Sequence, residues 1–433
     1  MPPSAPGTIR LCAPHGTPVY RSLNGKHPLV HALFGAPASP LALIEALEEP
    51  TPATIARTQR DVASVTADLA ATGVSASEIA AFVTARDPAS QALIPEDVDL
   101  VLHHTAPATL GARPWALHVE VTGSLFLNAL APPPIPSVSL AEQSEFRLVR
   151  RLLDASNCRF VFSNLARTVE EIKTAFSGTS LPAKVHHIAP GVEIPPAVAA
   201  RAVQRFSALA AGEGAKGLAV LYTASWNRDP LSFYLRGGHE VLAAFSEIAE
   251  FCPGLTLTLC GPLPETLDPA LLNLARTHPR VTLIPQPLSD AELFDQLLAA
   301  DVFVAPSVAV TTVSTLRAMA CGAVMITADP PGVEEMINHD VTGFVLPGKS
   351  ATIDRREGST GIYLADPGLA NRYNAAMVQG LSLVLKGLHD HSKKRCATAL
   401  RAKAALDQRF SLEGWRSGFA ELAAQAMEKR SDI

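Results

Sequence analysis

Cysteine is scarce in this chain and scattered where it occurs. Six residues, Cys12, Cys158, Cys252, Cys260, Cys321 and Cys396, are spread over 433 positions with no C-x-x-C pair. That spacing argues against a disulfide scaffold or a zinc site and for buried free thiols. H-E-x-x-H is also missing. His103-His104 and His186-His187 are adjacent pairs, and neighbours on a strand point to opposite faces, so they make poor chelates. No metal is expected. Neither sign of charge dominates: Lys and Arg number 36 against 41 Asp and Glu, a net charge of −5. Nothing in that balance suggests a nucleic-acid partner. No apolar run reaches the roughly 18 residues of a membrane span. Met1-Pro2-Pro3-Ser4-Ala5-Pro6-Gly7 lacks the charged and apolar regions of a signal peptide, so a cytoplasmic protein is expected.

What is plentiful is apolar surface. Hydrophobic residues make up 48% and charged residues 18% of the chain, enough for large cores, and the length suits two or three domains. Strand candidates in the first half are Thr8–Ala13, Val98–His103, Trp115–Val121, Arg159–Ser163 and Val185–Ile188, with helical patterns at Ala53–Ala71, Ser77–Ala85 and Leu140–Asp154. Alternation of this kind predicts α/β architecture with parallel sheets covered on both faces.

Pro190-Gly191-Val192-Glu193-Ile194-Pro195-Pro196 interrupts the pattern and marks a domain boundary near residue 200. From Gly217 the alternation is clearer. Strands are expected at Leu218–Thr223, Leu255–Cys260, Val281–Ile284, Val302–Ala305, Val324–Thr327 and Gly343–Val345. Helices are expected at His239–Ala249, Leu271–Thr277 and Asp290–Ala299, with long helices between Pro367 and Ala405. The polar stretch Lys349–Ile362 reads as an exposed loop or an insertion.

A doubly wound sheet binds ligands beyond the carboxyl ends of its strands. Three segments fall there in the second half. Thr223–Gly238 holds Arg228 and Arg236-Gly237-Gly238; arginine presents a planar fork to phosphate oxygens, and glycine lets backbone approach a ligand. Gly261-Pro262 follows the strand Leu255–Cys260 and reads first as a turn. Pro306–Gly322 holds Ser307, Ala309, Thr311, Thr312, Val313, Ser314 and Arg317. The threonines and Ser314 stand where a helix should begin, and they would cap it or help it bind a pyrophosphate.

The order of blocks from Leu255–Gly261 through Arg280–Pro285, Leu288–Leu293, Ala300–Ser307, Ala318-Met319-Ala320-Cys321-Gly322, Gly332–Ile337 and Thr342–Val345 resembles the C-terminal domain of the retaining glycosyltransferases of GT-B fold, family 4 (glycosyl transferases group 1). Val161-Phe162-Ser163-Asn164 and Ile188–Glu193 resemble the end of that family's N-terminal domain. The first 110 residues match poorly. The resemblance implies two Rossmann-like doubly wound domains facing a central cleft. Residues 1–200 would bind the acceptor, residues 201–405 the nucleotide-sugar donor, and 406–433 would form a closing helix on the first domain.

It implies transfer of a sugar from a UDP- or GDP-sugar to a hydroxyl acceptor, with retention and without a resident cofactor. The acceptor would be a glycan, a lipid-linked sugar or a protein, as in polysaccharide synthesis. Contact with the inner face of a membrane would run through a surface patch. Arg228 and Arg236 match the family's basic pair on the diphosphate. His118 lies where members carry a histidine beside the donor sugar, with His103, His104 and Glu120 as second choices. Two family glutamates, on the donor sugar and the ribose, fall at Ala309 and Arg317, so ribose binding must differ or be lost. The rival expectation is a non-catalytic GT-B module that binds glycan or partners an active transferase. A sugar-nucleotide epimerase is a weaker third.

Overall fold

Leu100-Val101-Leu102 and Val302-Phe303-Val304-Ala305 are unbroken apolar runs, as parallel strands covered on both faces require. In the computed structural model each forms an inner strand of a six-stranded sheet. The structure describes residues 7–14, 28–126, 139–212, 216–224, 231–349, 354–356, 360, 362–365 and 374–428. The chain divides into two units. One comprises Met1–Ala189, Arg356–Leu364 and Leu412–Ile433; the other comprises Pro190–Arg355 and Ala365–Ser411.

In the first unit, β1 (Ile9–Cys12), β2 (Leu41–Leu43), β3 (Leu100–His104), β4 (Trp115–His118), β5 (Cys158–Ser163) and β6 (Val185–His187) lie in the order β2-β1-β3-β4-β5-β6. All the described pairings are parallel. The core centres on Trp115 with Phe126, Phe146 and Phe176, whose rings stack. The expected helix Leu140–Asp154 is two pieces. A 3₁₀ turn spans Leu140–Glu142 and the α-helix begins at Ser144, because Gln143 takes an extended conformation (ψ 142°). The helix Leu412–Glu428 packs here: Phe419 lies edge-on to Phe160 and Phe162, and the Arg416 guanidinium donates to the Ala32 carbonyl at 2.6 and 2.9 Å.

In the second unit, β7 (Leu218–Thr223), β8 (Leu255–Cys260), β9 (Val281–Ile284), β10 (Val302–Ala305), β11 (Val324–Ala328) and β12 (Gly343–Leu346) lie in the order β12-β11-β10-β7-β8-β9, again all parallel. Helices Gly238–Ile248 and Ala375–Asp390 contribute much of its core. The division between units falls at Ala189/Pro190 rather than near residue 200. The helix Pro196–Ala210 accounts for this, since Arg205 donates to the carbonyls of Leu298, Ala300 and Gly322 in the second unit. The stretch expected as an exposed loop also differs. Lys349 and Ile362 are fully buried, and Asp354–Arg356 pairs with Tyr363–Ala365 as a two-stranded sheet.

Candidate functional site

The second sheet reverses direction between β7 and β10. From β7 the chain steps outward to β8 and β9, then returns to β10 and steps the other way to β11 and β12. Loops leaving β7 and β10 therefore diverge and open a crevice at the carboxyl ends of those strands, the usual ligand position in such sheets. After β7 come a short helix, Leu231–Leu235, and then Arg236-Gly237-Gly238; Arg228 lies outside the described residues. After β10 comes Pro306–Thr311 and then the helix Thr312–Cys321. The two loops touch, since Val308 N–H donates to the Leu235 carbonyl at 3.0 Å. Gly237 has φ +75°, and a Cβ there would stand 2.4 Å from Pro306 Cγ and 2.8 Å from its carbonyl oxygen. Only glycine allows so close an approach.

The helix Thr312–Cys321 starts without a side-chain cap and with no acidic residue in its first turn. Thr311, at the N-cap, instead has its hydroxyl 3.4 Å from that of Thr315. The first-turn N–H groups of Thr312, Val313 and Ser314 thus carry the positive end of the helix dipole, a ready anion site. Ser307 Oγ accepts from Ala309 N–H at 3.3 Å and shapes the loop. Arg236 is half-buried, and its guanidinium has no hydrogen bond or ion pair among the described residues. Gly261 (φ +131°) closes against Ala224 just beyond β7, where a Cβ on the glycine would stand 2.6 Å from the alanine methyl; Pro262 beside it is exposed.

Beneath the Gly237 turn lies a pair that sequence reading missed. Lys349 Nζ donates to Glu240 Oε2 at 2.5 Å and to the Tyr234 carbonyl at 3.2 Å, with both charged side chains fully buried. The missing Cβ of Gly237 would stand 2.8 Å from Glu240 Oε2. Burial pushes the Glu240 carboxyl above the usual carboxylate range, and Lys349 opposes the shift.

A second polar cluster occupies the carboxyl ends of β3, β4 and β5 in the first unit. His118 Nδ1 is 2.8 Å from His104 Nδ1, and His118 Nε2 is 2.9 Å from Asn164 Nδ2. His118 is 2% exposed. Both its ring nitrogens are engaged inside the protein, by His104 and Asn164. His104 Nε2 stands 3.9 Å from Glu120 Oε2, with side-chain exposures of 12% and 34%. His103 points away, edge-on to Trp115, and burial pushes its imidazole down to about 3. Among the described residues, no group of three or more His, Cys, Asp or Glu is placed to hold a metal ion, and no helix is long and apolar enough to cross a membrane.

Residues 231–354, spanning the crevice loops, match the family model of glycosyl transferases group 1. The sheet pair matches solved structures along nearly the whole chain. Sucrose-phosphate synthase from Thermosynechococcus elongatus aligns with TM-score 0.56 at 14% identity, covering 98% of this chain and 100% of that one. Anabaena HepE in complex with UDP-glucose aligns with TM-score 0.53 at 16% identity, covering 96% and 99%. The chain has the GT-B fold. A curated relative of this GT-B protein, alpha-maltose-1-phosphate synthase of Mycolicibacterium smegmatis, is 28% identical over 149 residues, 32% of this chain and 38% of that protein.

In this GT-B protein Arg317, expected at the second family glutamate, is a cation already paired. Arg317 donates through both terminal nitrogens to the two carboxylate oxygens of Asp290, each at 3.1 Å, and lies 5.0 Å over the Phe294 ring. It is 7% exposed. Its guanidinium faces the helix Asp290–Ala299, not the Pro306–Thr311 loop, so the structure does not gather Arg317 with Arg236. Ala309 brings only a half-buried methyl group to the loop.

Proposed function

We propose that this GT-B protein is a glycosyltransferase that moves a sugar from a UDP- or GDP-sugar to a hydroxyl acceptor with retention of configuration, in glycan or polysaccharide synthesis. The observation that supports this most is the contact of the Leu235–Gly237 turn, which carries the uncommitted Arg236, with the loop leading to an uncapped helix end at the reversal of the second sheet. Both favour negative charge, and a diphosphate leaving group gains most of its charge in the transition state. Donors aimed at that charge supply the largest share of catalysis in such chemistry. The departing phosphate oxygen takes the acceptor proton on the face it leaves, so no protein nucleophile is required. Arg228 and Arg236 would hold the diphosphate; Gly237, Gly261, Pro262, Ser307, Thr311, Thr312, Val313 and Ser314 would wall the donor site. HepE complexes with UDP and UDP-glucose are consistent with that donor class.

Titration of the purified protein with UDP- and GDP-sugars by calorimetry tests this reading. Absence of any nucleotide binding sinks it. A second reading, a GT-B module that binds without turnover, is favoured by one observation, the closure of Arg317 on Asp290. Nucleotide-sugar binding with no release of UDP or GDP in the presence of glycan acceptors would decide for that second reading.

A further inference from the structure

The histidine cluster of the first unit has a direction, and it can be worked out from one residue. Tryptophan Nε1–H only donates. Trp415 places it 3.2 Å from Asn164 Oδ1, which fixes the carboxamide oxygen on that side and its NH2 on the other. The NH2 lies 2.9 Å from His118 Nε2, so Nε2 accepts and carries no proton. A neutral imidazole then holds its proton on Nδ1. His118 Nδ1 is 2.8 Å from His104 Nδ1, so His104 accepts there and keeps its own proton on Nε2. That nitrogen is the one on the side of Glu120, 3.9 Å from Oε2.

Local packing supports each link. His104 and His118 are register partners on adjacent strands, and their rings stack at 4.9 Å. Trp415 stacks on Phe419, which itself packs on β5. His187 Nε2 approaches the backbone carbonyl of Asn164 at 3.3 Å and leaves its side chain to the relay. Thr168 Oγ1 donates to the Glu120 carbonyl at 3.1 Å and anchors the far end. Trp415, Asn164 and His118 are buried at 2%, 5% and 2% exposure, whereas the side chains of His104 and Glu120 are 12% and 34% exposed.

We propose that Trp415, Asn164, His118 and His104 are positioning residues that fix one tautomer order and set an N–H against the carboxylate of Glu120, and that Glu120 is the acceptor-facing group of this unit. A carboxylate with an N–H 3.9 Å behind it suits a sugar hydroxyl, which donates to one of its oxygens. The assignment to the acceptor rests on the transferase reading; the tautomer order does not.

The test is a long-range ¹H–¹⁵N spectrum of the full-length protein labelled at histidine, with His104→Gln and His118→Gln supplying the assignments. His118 is expected as the Nδ1–H tautomer and His104 as the Nε2–H tautomer. Asn164→Asp replaces the donor by an acceptor, so His118 Nε2 gains a proton. Trp415→Phe keeps the ring packing but frees the amide to turn, so both His118 tautomers appear. In a transfer assay Asn164→Asp and Glu120→Gln each raise the acceptor KM by about tenfold, the scale of losing a partner behind a functional group, with donor affinity within twofold. A wild-type His118 protonated on Nε2, or a spectrum unmoved by Asn164→Asp, overturns the relay. An acceptor KM unmoved by Glu120→Gln overturns the role of Glu120. If Asn164→Asp does not fold, the wild-type and Trp415→Phe spectra decide. The predicted tautomers without any nucleotide-sugar binding leave the relay standing and remove the transferase reading.

Discussion

Removing Lys349 should destabilise the protein far more than its single salt bridge suggests. The pair it forms with Glu240 is fully buried, and Glu240 Oε1 has no hydrogen bond among the described residues; His239 Nε2 stands 3.7 Å from it. Lys349→Met deletes the partner of Oε2 and leaves a carboxylate in the core. Breaking one side of such a pair costs about 3–5 kcal/mol. The cost should depend on pH in a fixed direction. Burial already raises the Glu240 pKa in the folded state, and losing Lys349 raises it further. A group raised on folding gives its full stability below its unfolded value, about 4.3, and loses it as pH climbs through the folded value. The deficit of Lys349→Met should therefore be largest near neutrality and shrink on acidification by up to about 1.4 kcal/mol per pH unit. Paired with Glu240→Leu, the same change removes both charges and should return most of the loss. Urea denaturation followed by far-UV circular dichroism, at several pH values, measures all of this. A loss under about 1 kcal/mol at pH 7, or a double variant no more stable than the single, would refute the reasoning.

Three further outcomes follow from the same geometry. Gly237→Ala should lower nucleotide-sugar affinity in calorimetry by pushing Pro306 away, whereas Gly73→Ala, which shares a positive φ of +81° but has open space around it, should cost only about 1 kcal/mol of backbone strain and leave affinity unchanged. Arg236→Ala should weaken binding by about tenfold or more, the scale of a charge-assisted hydrogen bond, while Arg317→Ala, whose fork is closed on Asp290, should leave binding within twofold; equal losses at the two positions would reverse the assignment. His103 stays neutral in the fold because burial depresses its pKa to about 3. Its contribution is therefore complete above the unfolded value of about 6.5 and is lost as pH falls, at up to about 1.4 kcal/mol per unit; the stability gap between wild type and His103→Gln should narrow from pH 7 to pH 4 in thermal denaturation.

The second unit was legible because its signals are local. Val302–Ala305 is an apolar run bounded by Asp301 and Pro306, and Ser289 with Glu292 forms a capping box at the predicted helix start. The first unit hid its sheet behind short or irregular pieces. β2 is only Leu41–Leu43, too short for any periodicity, and Gln143 breaks an amphipathic pattern that looks continuous. Site residues divide along the same line. Gly237 could be read from its turn, since a glycine pair between helices already implies a close approach. Whether an arginine is available could not, because that depends on what lies across the packing. Arg236 and Arg317 look alike in sequence, yet Asp290 on the neighbouring helix takes both ends of one fork and nothing described takes the other. The same holds for the histidines. Placing His118 at a strand end was a local inference, but its availability is decided by Asn164 and Trp415, the latter on the closing helix. Long-range partners thus engage two side chains expected at the ligand, Arg317 and His118. They move the interest of the first unit toward Glu120, the half-buried carboxylate 3.9 Å beyond His104.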